Sequence, residues 1–271
     1  MAARALFLWT TLFLILIITG CARQRWTEPL QEDESRRVSE LITTMQDTNK
    51  SCPKGFDADA IISWKSPVID TAVQGYLQLL SPSSVKFIVS NPLGMPVYAF
   101  ASDGNTFQIL DTSKRQHIRG NVRNLAFRKE LPIILAQGDW FSFLSGQLPS
   151  QVIHAEQISK DTTNGTVWVR FPKSEKIKTE DEQWVNLDLG QRKVLGYLFL
   201  DRSGETIAEI SYDNQEEDEN CLSAEKKIRI TDLPWGAEIE IELHDIRTDD
   251  SFSEADFSLP VPVGYFKQLQ P

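Results

Sequence analysis

Residues 71–111 read TAVQGYLQLLSPSSVKFIVSNPLGMPVYAFASDGNTFQILD. Val73, Gly75, Leu77 and Leu79 alternate with Ala72, Gln74, Tyr76 and Gln78, the two-residue period of a strand with one buried face. SVKFIVS then puts Val85, Phe87 and Val89 on one face, MPVYAFA follows, and NTFQILD sets Phe107 and Ile109 on one face. Ser81-Pro82-Ser83, Asn91-Pro92-Leu93-Gly94 and Asp103-Gly104-Asn105 separate these runs with turn-forming residues. Short strands that follow one another through tight turns make an antiparallel meander.

The pattern extends outward in both directions. Beta character begins near residue 56, and strands resume late in the chain with TVWVRF, QWVNLDL, KVLGYLFLD, ETIAEISYD, KKIRITDL and AEIEIELHDI. In the last of these, Ile239, Ile241 and Leu243 stand against Glu238, Glu240, Glu242 and His244, as on a strand with one face in water. Residues 121–147 interrupt the alternation with apolar residues at helical spacing; Pro132 opens a second helix there and Gly138 breaks it. Upstream, Val38, Leu41, Ile42 and Met45 form the stripe of an amphipathic helix over 32–48, with acidic residues at its start. NQEEDEN at 214–220 lacks the glycine and ligand spacing of a calcium loop and reads as a solvated loop. The tail from 249 to 271 is mixed in polarity and is expected to run along the surface.

The chain has 271 residues, a net charge of −10, 41% hydrophobic residues and three cysteines. That composition supports a packed core, and an acidic chain without a basic run is a poor nucleic-acid binder. His117, His154 and His244 are isolated, with no HExxH, GxSxG, P-loop or CxxC pattern. No catalytic residue, metal site or cofactor is expected. The N-terminus is more telling. Arg4 precedes a largely apolar stretch of 14 residues, Ala5 to Ile18, and the run ends in Ile18-Thr19-Gly20-Cys21. Spanning a bilayer takes about 20 apolar residues, so this has the length of a secretory leader. Its end resembles the bacterial lipobox, in which the cysteine is acylated after the leader is cut. The reading is a leader over 1–20, lipidated Cys21, a tether over 21–31, a folded domain over 32–247 and an extension over 248–271. Ala22 stands where an Asp retains such lipoproteins in the inner membrane, which points to the outer membrane. Cys52 and Cys221 then remain in an oxidising compartment and are expected to form a disulfide, the alternative being two separate thiols.

The segment VKFIVSNPLGMPVYAFA at 85–101 resembles the matching region of LolB in the LolA/LolB lipoprotein-carrier superfamily. The likeness continues through NTFQILD, returns at DWFSFLSGQLP (139–149), and follows the family's strand order from LGYLFLD to AEIEIELHDI. It covers most of residues 56–247, but only the NPLG turn is close in letters, and the extra loops and C-terminal tail depart from the compact family pattern. The resemblance implies an α+β, mainly β fold: an antiparallel open half-barrel with helices covering one side and an apolar cavity for acyl chains. On that likeness the helices at 121–147 form a lid, with Phe127, Leu131, Ile134, Leu135, Trp140, Phe141 and Leu144 facing the cavity. Taken singly, each of these is better read as ordinary core packing. Leu93 is implied to protrude and to help deliver cargo to the membrane. The implied partners are acylated lipoprotein cargo or other lipid, a periplasmic carrier protein that hands it over, and the outer membrane. A second reading is a non-catalytic structural or assembly lipoprotein that uses the same fold as a docking module with a filled interior.

Overall fold

The computed structural model describes residues 28–150, 154–161, 164–172, 177, 179–213 and 221–270. The leader, Cys21, the start of the tether and the 214–220 loop lie outside the described residues. A first meander comprises β2 (Gly55–Lys65), β3 (Asp70–Leu80), β4 (Ser84–Ser90), β5 (Pro96–Ser102), β6 (Thr106–Asp111) and β7 (Gln116–Asn121). It is preceded by a short β1 (Glu28–Pro29) and α1 (Glu32–Ser51). Three short helices follow: α2 (Val122–Lys129), α3 (Ile133–Ala136) and α4 (Trp140–Ser145). The second meander comprises β8 (Gln157–Lys160), β9 (Val167–Arg170), β10 (Glu182–Asp188), β11 (Lys193–Leu200), β12 (Thr206–Asp213), β13 (Lys226–Leu233) and β14 (Ala237–Thr248). β15 (Phe266–Gln270) is the last described element.

Among the described residues 15 strands form one sheet, ordered β1-β8-β9-β10-β11-β12-β13-β14-β2-β3-β4-β5-β6-β7-β15. Every pairing is antiparallel except that of β15, which runs parallel to β7. The two meanders meet where β14 pairs β2, with Glu238 opposite Lys65 and Thr248 opposite Phe56. The sheet does not close, so the molecule is a mainly β open half-barrel with helices on its inner side.

Register explains which residues meet. Phe56 lies opposite Leu79, Ala58 opposite Leu77, and Leu77 opposite Phe87, so all five share the inner face, and all are buried. In the second meander Tyr197 faces Ile210 and Phe199 faces Ala208, while Ile228 and Ile230 lie opposite Ile241 and Ile239. Fully burying one such side chain stabilises the fold by about 1.5–3 kcal/mol, so this face is the main source of stability. Gly75 is needed for close packing: a Cβ there would sit 2.7 Å from the Phe87 ring and 2.5 Å from the Ile88 carbonyl oxygen.

α1 runs three residues past its expected end, with Glu32, Asp33 and Glu34 in its first turn and Lys50 in its last, as the helix dipole favours. Val38 and Ile42 are buried, and Met45 packs against the same core. Cys52 follows the helix and is bonded to Cys221, with Cα atoms 5.6 Å apart. The 121–147 segment is three helices rather than two. The Asn121 side chain accepts a hydrogen bond from the Arg123 N–H at 2.8 Å, Glu130 ends α2 in the left-handed region, and Pro132 starts α3. The tail does run over the sheet, but it is also part of it. Leu259 is buried on the outer face with Ala99, Ala101 and Leu110, and Tyr265 and Ile88 pack on this cluster before β15 joins the edge.

Candidate functional site

The inner face of the half-barrel has a filled part and an open part. α4 fills the first. Phe143 is fully buried and meets Tyr197 and Phe199 edge-on, with ring centroids 5.0 and 5.4 Å away. Phe141 lies 5.6 Å from the Phe56 ring, and Trp140 packs on Phe143 at 5.9 Å. Polar groups hold this helix in place. The Tyr212 hydroxyl donates to the Phe143 carbonyl at 2.8 Å, the Tyr197 hydroxyl donates to the Gln147 carbonyl, and the Lys226 ammonium donates to the Ser145 carbonyl. Asp139 caps the helix, accepting from the Ser142 N–H at 3.0 Å and from the Ser150 hydroxyl at 2.7 Å. Gly138 lets the chain pass the Phe143 ring, which a Cβ there would approach to 2.4 Å. Burial pushes both tyrosine hydroxyls well above their usual range and lowers Lys226 to about 8. Carbonyl oxygens that would be orphaned at the end of a short buried helix are thus satisfied by side chains of the sheet.

The open part lies on β5, β6 and β7. Phe87 is opposite Phe100, Phe100 opposite Ile109, and Ile109 opposite Ile118, a continuous apolar row across four strands. Phe87 belongs to the packed core, whereas Phe100, Ile109 and Ile118 are only half-buried. One step toward the rim, Tyr98 is 37% exposed and stands opposite Asp111. Burial pushes the Tyr98 hydroxyl up and the Asp111 carboxylate adds to this, while hydrogen bonds from Ser113 and Lys114 hold Asp111 down at about 2. The result is an apolar surface with a charged border.

The residues expected to line a cavity divide between these environments. Ile134, Leu135, Phe141 and Leu144 are buried in the main core, and Trp140 is half-buried against it. Leu131 is half-buried. Phe127 is 85% exposed, so it projects from α2 instead of packing. Leu93 is 82% exposed at the β4–β5 turn. That turn is held by Asn91, whose side-chain oxygen accepts from the Leu93 and Met95 N–H groups at 3.0 Å each, while Gly94 turns the chain at φ 78°. A cleft of about 520 Å³ lies elsewhere, lined by Arg123, Ile133, Thr179, Glu180, Asp181 and Arg202. Its lining is mainly charged, with Arg202 paired to Glu180 at 3.2 Å, which is the wrong chemistry for an acyl chain. Among the described residues no group of three or more His, Cys, Asp or Glu is placed to hold a metal ion. The Phe100–Ile109–Ile118 row was not singled out from sequence. Alternation in NTFQILD gives its face, but its exposure depends on where the helices settle.

No family model matches the sequence, and no curated protein matches it. Solved structures do. A domain described as an outer-membrane lipoprotein-sorting protein from Vibrio parahaemolyticus is 16% identical, with a TM-score of 0.54 over 81% of this chain and 96% of that one. A DUF1329 family protein from Desulfovibrio piger is 13% identical, with a TM-score of 0.56 over 86% of this chain and 98% of that one. At such identities the likeness is one of architecture, and this chain has the fold of these two proteins.

Proposed function

We propose that this protein is a lipid-anchored outer-membrane lipoprotein, facing the periplasm, that holds acyl chains of lipoproteins or another amphiphile on its open inner face and helps pass them into the membrane. The observation that carries this reading is the half-buried row Phe100–Ile109–Ile118, a prolongation of the core that no helix covers fully. Each CH₂ removed from water contributes about 0.8 kcal/mol, so seven methylenes laid on this row supply roughly 5–6 kcal/mol before ordering costs. That is enough for binding that is real yet readily reversed, as a carrier needs. In this reading Cys21 carries the anchor, a periplasmic carrier supplies the cargo, and Leu93 touches the bilayer during release.

The test is titration of the purified full chain with an environment-sensitive fatty acid. Binding is expected, and Ile109→Asn should weaken it about tenfold, the equivalent of some 1.4 kcal/mol. No saturable binding by the natural sequence, or equal binding by the variant, would overturn the reading. Labelled palmitate incorporation should in turn be lost in Cys21→Ala. The docking-module reading draws on a different observation, the filling of the second meander by α4, and it gains if no amphiphile binds.

A further inference from the structure

Three hairpins adjacent in the sheet end on one rim. Lys65 pairs with both Glu238 and Asp70, so the β13–β14 and β2–β3 turns leave the sheet side by side. Tyr76 pairs with Ile88, so β4 and β5 turn back on the same rim as Asp70. Each turn displays apolar side chains to water: Trp235 is 75% exposed, Val68 87%, Ile69 54%, Leu93 82% and Met95 56%. Strands spaced about 4.8 Å apart put successive tips about 10 Å apart, in a row some 20 Å long. On the opposite rim the turns Ser81-Pro82-Ser83 and Asp103-Gly104-Asn105, beside the same strands, display no large apolar side chain to water.

Several backbone N–H groups of these tips are paired from within. The Ser66 N–H donates to the Ile69 carbonyl at 2.7 Å, and the Ile69 N–H donates to the Ser66 hydroxyl oxygen at 3.1 Å. In the next tip the Gly94 N–H donates to the Asn91 carbonyl at 2.8 Å, alongside the two bonds to the Asn91 side chain. The Ala237 N–H closes the third turn on the Pro234 carbonyl. The N–H groups paired in this way leave water without being orphaned, which lowers the cost of entering lipid. Trp235 is held in the left-handed region at φ 66°, a conformation uncommon for a bulky residue, between Pro234 and Gly236. An indole displayed in this way suits the membrane–water interface, where an apolar ring and a polar N–H are both accommodated.

We propose that the three tips insert together into a lipid surface, with Trp235 and the Val68–Ile69 pair joining Leu93, so that the sheet stands edge-on against the bilayer. Separate projecting points give no contiguous face of the size a stable protein interface buries, whereas a plane of lipid meets all three at once. Asp70, Asp232 and Glu238 border the row and the chain is net acidic at −10, so attachment is by apolar insertion rather than by attraction to anionic lipid. This inference deepens the proposed function and rests on its placing the protein at a membrane.

The test uses the full chain in vesicles of zwitterionic phosphatidylcholine. Val68→Cys, Leu93→Cys, Trp235→Cys and, on the opposite rim, Asn105→Cys are each labelled with a polarity-sensitive dye. The first three should brighten several-fold and be quenched by doxyl groups placed shallowly in the lipid, unchanged by raised salt; position 105 should do neither. If position 93 enters lipid while 68 and 235 stay in water, the three-tip edge is refuted and the proposed function survives. If none enters while acyl binding persists, membrane delivery falls as well. Brightening that depends on protein concentration and needs no vesicles would make the row a contact between copies of this chain, and the inference would be overturned.

Discussion

Between β10 and β13 the inner face is sealed by α4, and between β5 and β7 the same face is left half open. Both regions obey the same alternation, and both present aromatic and branched side chains inward. What separates them is where the connecting helices come to rest. Tyr197, Tyr212 and Lys226 reach out of the second meander to the carbonyls of the α4 segment, whereas α2 sets Phe127 into water. A strand pattern therefore tells which face is inward and leaves undecided whether that face is filled. Core and binding surface are made of the same residue types, and the polar anchors of a helix decide between them.

The sharpest way to break the comparison is Phe143→Ala. A fully buried ring ringed by Tyr197, Phe199 and Trp140 should cost about 3–5 kcal/mol on truncation, measured by urea unfolding. A small loss would mean that the filled half is looser than its packing implies. Next in size is the bridge: Cys221→Ala should lower stability by about 2–5 kcal/mol and shift mobility on a non-reducing gel. The open half should respond in the opposite way. Ile118→Asn is expected to weaken fatty-acid binding about tenfold while unfolding free energy changes by under about 1 kcal/mol, and a larger stability loss would show that Ile118 is core.

The alkaline pH profile sharpens the contrast further, because Lys226, Tyr197 and Tyr212 hold the filled half. Lys226 lies at about 8 in the folded chain against its ordinary 10.5, so the unfolded chain carries the extra proton between these values. Stability should accordingly rise with pH from about 8. Tyr197 and Tyr212 are raised well above 10, so beyond pH 10 the unfolded chain loses protons that the folded chain keeps, and stability should fall. Urea midpoints across this range should pass through a maximum, and Lys226→Met should flatten the rising side. A rising limb that survives in Lys226→Met would discount Lys226 as its cause. The smallest effect is reserved for Leu93→Glu: an exposed turn side chain should change stability by under about 0.5 kcal/mol, while transfer of lipoprotein to membranes drops.

Much of the architecture could be read in the letters, since β-turn residues and two-residue alternation are local signals. Val73 to Leu79, Phe107 with Ile109, and Ile239 to Leu243 each reveal their own face. α1 was legible for the same reason, through Val38, Ile42 and Met45. The parallel β15 was not, because the tail has no alternation of its own and gains its form from pairing with β7. Nor was the division of labour among Phe127, Leu131, Ile134, Leu135, Trp140, Phe141 and Leu144: helical spacing is identical for a lid and a plug. Trp235 carries its own trace in the sequence, an aromatic residue between proline and glycine at a hairpin turn, where a buried role is hard to satisfy.

The seam between β14 and β2 has a consequence for how the chain finds its fold. Almost every other strand pairing joins sequence neighbours, so each meander can assemble hairpin by hairpin at low entropic cost. The Lys65–Glu238 pairing brings distant parts of the chain together, and past the other end of β2 Cys52 and Cys221 are joined across 169 positions. Folding of this protein is therefore expected to be slowest where its two halves are sewn, with the bridge locking a docking step between two locally formed sheets.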